Sequence, residues 1–123
     1  MQSVSTNNAA PAVGPYSQAV IHENALFVSG QLGIDPATGK IPPTFEEQAN
    51  LVFANLKAVV EAANMRMENI VKVSVFLKDM ENFAALNEIY KRHFTSPFPA
   101  REAIEVARLP KDGQIEISVI AMR

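Results

Sequence analysis

The sequence predicts an α+β domain in which a mixed β-sheet is covered on one face by two helices. Three observations carry this expectation. Apolar residues recur at helical period in two separate stretches, β-rich runs stand before, between and after them, and 123 residues admit one domain, residues 1–123. The resulting element order is ββ-α-β-α-ββ.

Residues 1–17 are polar and small, with Pro11, Gly14 and Pro15 as breakers, so an ordered arm without regular structure is expected. Residues 18–22 (QAVIH) and 25–34 (ALFVSGQLGI) flank the two-residue turn candidate Glu23-Asn24, which predicts a hairpin. Gly30 and Gly33 interrupt its second run, where glycine marks a bulge or a close approach to the backbone. Residues 35–43 are turn residues. Thr44 and Glu47 have capping-box spacing. Phe45, Ala49, Val52, Phe53, Leu56, Val59, Val60 and Ala63 then recur at steps of 3 and 4, predicting an amphipathic helix of about five turns.

Beyond it, Val71, Val73, Val75 and Leu77 alternate with Lys72, Ser74, Phe76 and Lys78, as in a half-buried strand. Asp79 can cap a second helix over residues 80–94, with Phe83, Leu86, Asn87, Tyr90 and Phe94 along one side. Pro97 and Pro99 stop it. Residues 100–108 and 114–122, joined by the turn LPKDG, read as a second β pair. Ile104, Val106, Ile115, Ile117 and Val119 give this pair an apolar face. The other parity carries Arg101, Ala103, Glu105, Ala107, Glu116, Ser118 and Ile120. No helix remains to cover that second face, so symmetric self-association is expected.

Composition excludes several classes of function. The chain has no cysteine, which removes disulfides, thiolate metal sites and thiol nucleophiles, and its two histidines offer little for a metal centre. A net charge of -2 lacks the positive field on which non-specific nucleic-acid binding relies. No apolar run reaches the roughly 18 residues of a membrane span, and the first residues resemble neither a signal nor a transit peptide. A soluble protein of the cytoplasm is expected, with the mitochondrion left open.

Arg101 begins a strand, and its guanidinium fork suits the two oxygens of a substrate carboxylate. Glu116, on the same parity across the expected last hairpin, is placed to hold or activate a water; the plainer alternative is a cross-strand Arg-Glu ion pair. Gly30 can present its backbone N–H to an oxygen, or can be a simple bulge. Tyr16 can close a pocket with its hydroxyl, or can be an anchoring aromatic. Asn87 and Tyr90 face either a pocket or the sheet. His22 and His93 lack spaced partners and read as surface or packing residues. Ser29 has no GxSxG context, and SGQLG matches no phosphate-binding loop.

Segments 10–20 (APAVGPYSQAV), 27–42 (FVSGQLGIDPATGKIP), 55–63 (NLKAVVEAA), 70–80 (IVKVSVFLKDM) and above all 98–121 (FPAREAIEVARLPKDGQIEISVIA) closely resemble the RidA/YjgF family. The resemblance covers essentially the whole chain, and PAR followed by VARLPKDG and IEI is highly specific. It implies a chorismate-mutase-like fold assembled as a homotrimer, with sheets packed into a central barrel and ligands in inter-subunit clefts. It further implies a deaminase that hydrolyses reactive 2-imino or 2-enamino acids to 2-keto acids and ammonia, with no metal or organic cofactor.

Carried over by motif, Arg101 would bind the substrate carboxylate and Glu116 would position or activate the attacking water. Gly30 and the N–H of Ala103 would hold substrate oxygens, Tyr16 would close the pocket, and Ser29, Asn87 and Pro110 would wall it. Arg101 and Glu116 from one chain is the simpler expectation. The chain departs from the family at three positions. Ala103 stands where many members have Cys, Glu102 where a small neutral residue is usual, and Ser118 where an acid is common. By strand alternation Glu102 is expected on the face away from Arg101. Two other readings stand beside the deaminase: a single-strand endoribonuclease that inhibits translation, and a non-catalytic trimer that binds keto acids or acts as a chaperone. The acidic charge and the lack of a basic-aromatic strip weigh against the first.

Overall fold

The computed structural model describes residues 1–123. Six strands form one sheet: β1 (Gln2–Val4), β2 (Ala19–His22), β3 (Ala25–Leu32), β4 (Ile70–Leu77), β5 (Ala100–Glu105) and β6 (Ile115–Met122). Their order is β1-β2-β3-β6-β4-β5, with β4 and β5 parallel and the other neighbours antiparallel. Two helices, α1 (Phe45–Ala62) and α2 (Phe83–Tyr90), account for the core on one face, as the α+β pattern predicts. No helix is long and apolar enough to cross a membrane.

The first hairpin turns at Glu23, whose φ of 54° fits a tight two-residue connection. The amino-terminal arm is more regular than expected. Its first residues pair with β2, and the buried Gln18 ties the rest down by donating to Thr6 O and Ala10 O while accepting from the Thr6 N–H. One side chain thus satisfies backbone groups that the proline-rich sequence leaves without ladder partners.

α1 begins where expected. The Thr44 hydroxyl accepts from the Glu47 N–H and donates to Glu47 Oε1, so the cap closes between the two side chains rather than through the Thr44 backbone. Ala49, Val52, Phe53, Leu56, Val59 and Val60 are fully or almost fully buried against the sheet. Gln48 and Asn55 are also buried, and each serves the backbone: Gln48 donates to Pro42 O and accepts from the Gln114 N–H, and Asn55 donates to Leu32 O and Ile34 O. Gly33 allows this docking. A Cβ there would lie 2.5 Å from the Gln48 carbonyl oxygen.

Three expectations are corrected. In β4 the register shifts between Ile70 and Lys72, which buries Ile70 and leaves Val71 43% exposed, so the alternation starts at Val73. The second helix is shorter than residues 80–94: a 3₁₀ turn over Met80–Asn82 leads into α2, and the chain leaves the helix after Tyr90. Most consequentially, β5 and β6 are not a hairpin, because β4 lies between them. Arg101, Ala103 and Glu105 pair with the buried Val73, Val75 and Leu77 and share their helix-covered face. Glu116, Ser118 and Ile120 pair with Phe76, Ser74 and Lys72 on the helix-free face, where Ile104 also points.

Candidate active site

β5 is an edge strand, and its free edge is chemically equipped. The Val106 N–H bonds to Leu77 O at 2.8 Å. Since N–H groups alternate in direction along a parallel ladder, those of Arg101, Ala103 and Glu105 point away from β4, unused by the sheet. The Arg101 side chain turns onto α2. Its Nη1 donates to Asn87 Oδ1 at 2.9 Å, and its Cζ lies 4.8 Å from the Tyr90 ring centroid and 5.6 Å from that of Phe83. Ala84, Asn87, Tyr90, Phe98, Pro99 and Arg101 border a cleft of about 550 Å³. A guanidinium with one donor engaged and four to spare thus stands over a cleft of mixed lining, which Glu88 and Lys91 also border.

Tyr90 is buried, its hydroxyl pushed above its ordinary range by burial, with the charge of Arg101 opposing. The hydroxyl has no hydrogen-bond partner. Pattern alone left Tyr90 between pocket and packing and gave Phe83 no part in a site. The signal was the i, i+4, i+7 spacing of Phe83, Asn87 and Tyr90, which lines one helix stripe, but nothing local says that an arginine lies across it.

The remaining candidates gather elsewhere. Val28 pairs with Val119 but Gln31 with Ile117, so β3 carries one extra residue at Ser29-Gly30, the bulge its glycine suggested. Glu116 lies against it: a Cβ on Gly30 would sit 2.8 Å from both Cδ and Oε1 of Glu116. Burial pushes the Glu116 carboxyl above its ordinary value of 4.5. Ser29 donates to Ser17 O at 2.7 Å, and Ser29, Tyr16 and Phe27 border a second hollow of about 490 Å³. The Tyr16 ring is half exposed, and its hydroxyl accepts from the Val13 N–H at 3.3 Å. Pro110 is exposed in the turn before β6 and borders neither hollow.

The candidates therefore form two groups within one chain, not one. Arg101, Ala103 and Asn87 lie on the helix side at the β5 edge; Ser29, Gly30 and Glu116 lie along β3 and β6, with Glu116 on the helix-free face and Tyr16, before β2, sharing a hollow with Ser29. The expected same-strand-pair meeting of Arg101 and Glu116 does not occur. Glu102 lies, as alternation predicts, on the face away from Arg101. There it accepts from the Ser74 hydroxyl and pairs with Lys72 Nζ at 3.0 Å, and these bonds, the first most of all, hold its carboxyl below the usual range. Its charge is thereby matched before it can oppose Arg101. No three His, Asp or Glu side chains converge as metal ligands would.

Known proteins resemble this chain over nearly its whole length. Residues 6–123 match the family model described as Endoribonuclease L-PSP. The chain is 46% identical to a 2-iminobutanoate/2-iminopropanoate deaminase of Escherichia coli K12, over 99% of this chain and 98% of the relative. A crystal structure of RidA from the Antarctic bacterium Psychrobacter sp. PAMC 21119 superimposes with a TM-score of 0.98 at 45% identity, covering all of both chains. A crystal structure of Escherichia coli TdcF with bound serine superimposes at 0.96 and 41% identity, covering 100% of this chain and 99% of that one.

Proposed function

Because this chain belongs to the Endoribonuclease L-PSP family, which includes RidA and YjgF, we propose that it hydrolyses 2-iminobutanoate and 2-iminopropanoate to the 2-keto acids and ammonia. The observation that carries the reading is Arg101, held by Asn87 at the mouth of a cleft with most of its fork free, as a small carboxylate requires.

The unit of function in this reading is a homotrimer. Phe27, Ile104 and Met122 are 44%, 48% and 49% exposed, and they lie on the sheet face that no helix covers, an apolar area suited to a second copy. The division of the candidate residues supports the same view. Arg101 and Asn87 of one subunit would face Tyr16, Ser29, Gly30 and Glu116 of its neighbour across the β5 edge. Pro110 would belong to the wall.

In the reaction, the enamine first tautomerises to the imine R–C(=NH)–COO⁻. Arg101 takes the carboxylate, and the free N–H of Ala103, with that of Gly30, holds oxygen at the reacting end. Glu116 accepts a proton from water as its oxygen bonds to C2. That proton passes to nitrogen, giving the carbinolamine R–C(OH)(NH2)–COO⁻; Glu116 then takes the hydroxyl proton and delivers it to the amine, so that the C–N bond breaks as the C=O bond forms and ammonia leaves with the 2-keto acid. A carboxyl raised by burial holds a proton more readily than an ordinary carboxylate, which suits this two-way transfer. Imines hydrolyse unaided in water, so orientation and one acid-base group suffice.

The test couples an amino-acid dehydratase, which releases the imine, to semicarbazide, which traps it. Added protein lowers semicarbazone formation and speeds 2-keto acid release if the reading is right. No acceleration, with 2-keto acid still bound, would mean a binding protein. Cleavage of single-stranded RNA by highly purified protein with no effect on the imine would replace the reading with the ribonuclease one. We place the protein in the cytoplasm, where enzymes that release such imines would supply it.

A further inference from the structure

Arg101 lies over two aromatic rings, and one helix stripe supplies both. Phe83, Asn87 and Tyr90 occupy successive turns of α2, so one helix face presents a ring, an amide and a second ring to the guanidinium. Both ring distances fall within the roughly 6 Å at which a cation is attracted to an aromatic face. The Tyr90 ring is itself fixed, edge-on to Phe53 at 6.0 Å and tilted against Phe94 at 4.6 Å, both in the core. Its hydroxyl, buried and without a partner, takes no part in this arrangement. The ring face is what Arg101 meets.

We propose that Tyr90, assisted by Phe83, is a positioning residue: the two rings fix the plane of the Arg101 guanidinium so that its free donors face an incoming carboxylate. The inference rests on the reading of Arg101 as the carboxylate anchor. An unclamped arginine samples many rotamers and must be ordered by each ligand it binds. A clamped one has lost that freedom before binding, and the gain appears in affinity. Asn87 sets the rotation of the fork within the plane, and the rings set the plane.

The proposal predicts a KM effect with little change in kcat, since the arginine is needed to hold the ground state and the transition state alike. Tyr90→Leu should raise KM for 2-iminobutanoate about tenfold and weaken 2-oxobutanoate binding, measured by calorimetry, by a similar factor. Tyr90→Phe, which keeps the ring and drops the orphan hydroxyl, should restore both. Phe83→Leu, at a position about one-third exposed and outside the core, should raise KM about two- to threefold and keeps the test open if the leucine at position 90 unfolds the chain. A readout without ligand is the Arg101 Nε–H resonance: ring currents should displace it in the wild type and in Tyr90→Phe, but less in Phe83→Leu. Wild-type KM and affinity in a folded Tyr90→Leu or in Phe83→Leu, or an Arg101 resonance at its free-arginine position in the wild type, would overturn the proposal. Failure of the wild type to process the imine or bind 2-oxobutanoate would instead remove the parent reading.

Discussion

Arg101 and Glu116 lie on opposite faces of the sheet, with β4 between their strands. Arg101 is paired with Val73 and Glu116 with Phe76, three residues further along β4. In the proposed reading, a site that uses both draws on two chains. Mixing subunits tests this at substrate well below KM: Arg101→Ala and Glu116→Gln proteins, each with lowered kcat/KM, should regain activity when refolded together. Random mixing places both wild-type residues at about one junction in four, so recovery should approach one quarter of wild type in a cyclic assembly. Zero recovery from mixed assemblies would show that the site is built within one chain.

Arg101→Ala removes a charge-assisted contact of about 1.5–3 kcal/mol, so kcat/KM should fall roughly 10- to 150-fold. The loss should appear mainly in KM. Unchanged kinetics in a folded, assembled variant would exclude Arg101 as the carboxylate anchor.

Gly30 and Gly33, three residues apart, should respond differently to alanine. At Gly30 the intruding methyl meets the end of the Glu116 side chain, which can swing away. Activity should fall about tenfold or more while stability changes by less than about 1 kcal/mol. At Gly33 the methyl meets the Gln48 backbone, which cannot yield without moving α1. Overpacking of this kind costs about 1–3 kcal/mol and should lower Tm by roughly 5–10 °C. Thermal melts beside activity assays separate the two.

Burial raises the Glu116 carboxyl above 4.5. The acid limb of the kcat/KM profile should therefore lie above the ordinary carboxylate range, and Glu116→Gln should lose it. The same shift has a sign for stability. The folded chain favours the neutral acid, so the contribution is fully present below the unfolded pKa and is lost as pH rises through the folded one. Glu116→Gln should be the more stable protein at neutral pH, the difference closing as the pH falls towards 4.5. Urea unfolding across that range measures it.

His93 shifts the opposite way. It stacks on Phe53 at 4.3 Å and 13°, and burial, then Arg92, then Lys57, lower its pKa below 6.5. The folded chain thus favours the neutral ring, and this stability is present above pH 6.5 and lost as pH falls through the folded pKa. His93→Phe keeps a flat ring on Phe53 and should flatten that portion of the stability profile between pH 7.5 and 5.

Much of the fold follows from local pattern. The capping pair Thr44-Glu47, the 3.6 period through Val60 and the glycine at the β3 bulge all act through neighbours a few residues away, so each was legible in order along the chain. The family motifs likewise named the candidate residues. Gln18, Gln48 and Asn55 were not legible as core residues, because their partners are backbone groups up to 66 residues distant.

The sequence by itself determined the α+β class, the two helices, the family and the residue types proposed for the chemistry. Only the tertiary structure decided who meets whom. Inserting β4 between β5 and β6 separates two strands that are adjacent in sequence, and no local signal encodes that choice. It depends on the parallel pairing of β4 with β5 and on burying Val73, Val75, Ile115 and Ile117 together under the helices. The same choice puts Arg101 on an edge, against the rings of α2, and sends Glu116 to the opposite face.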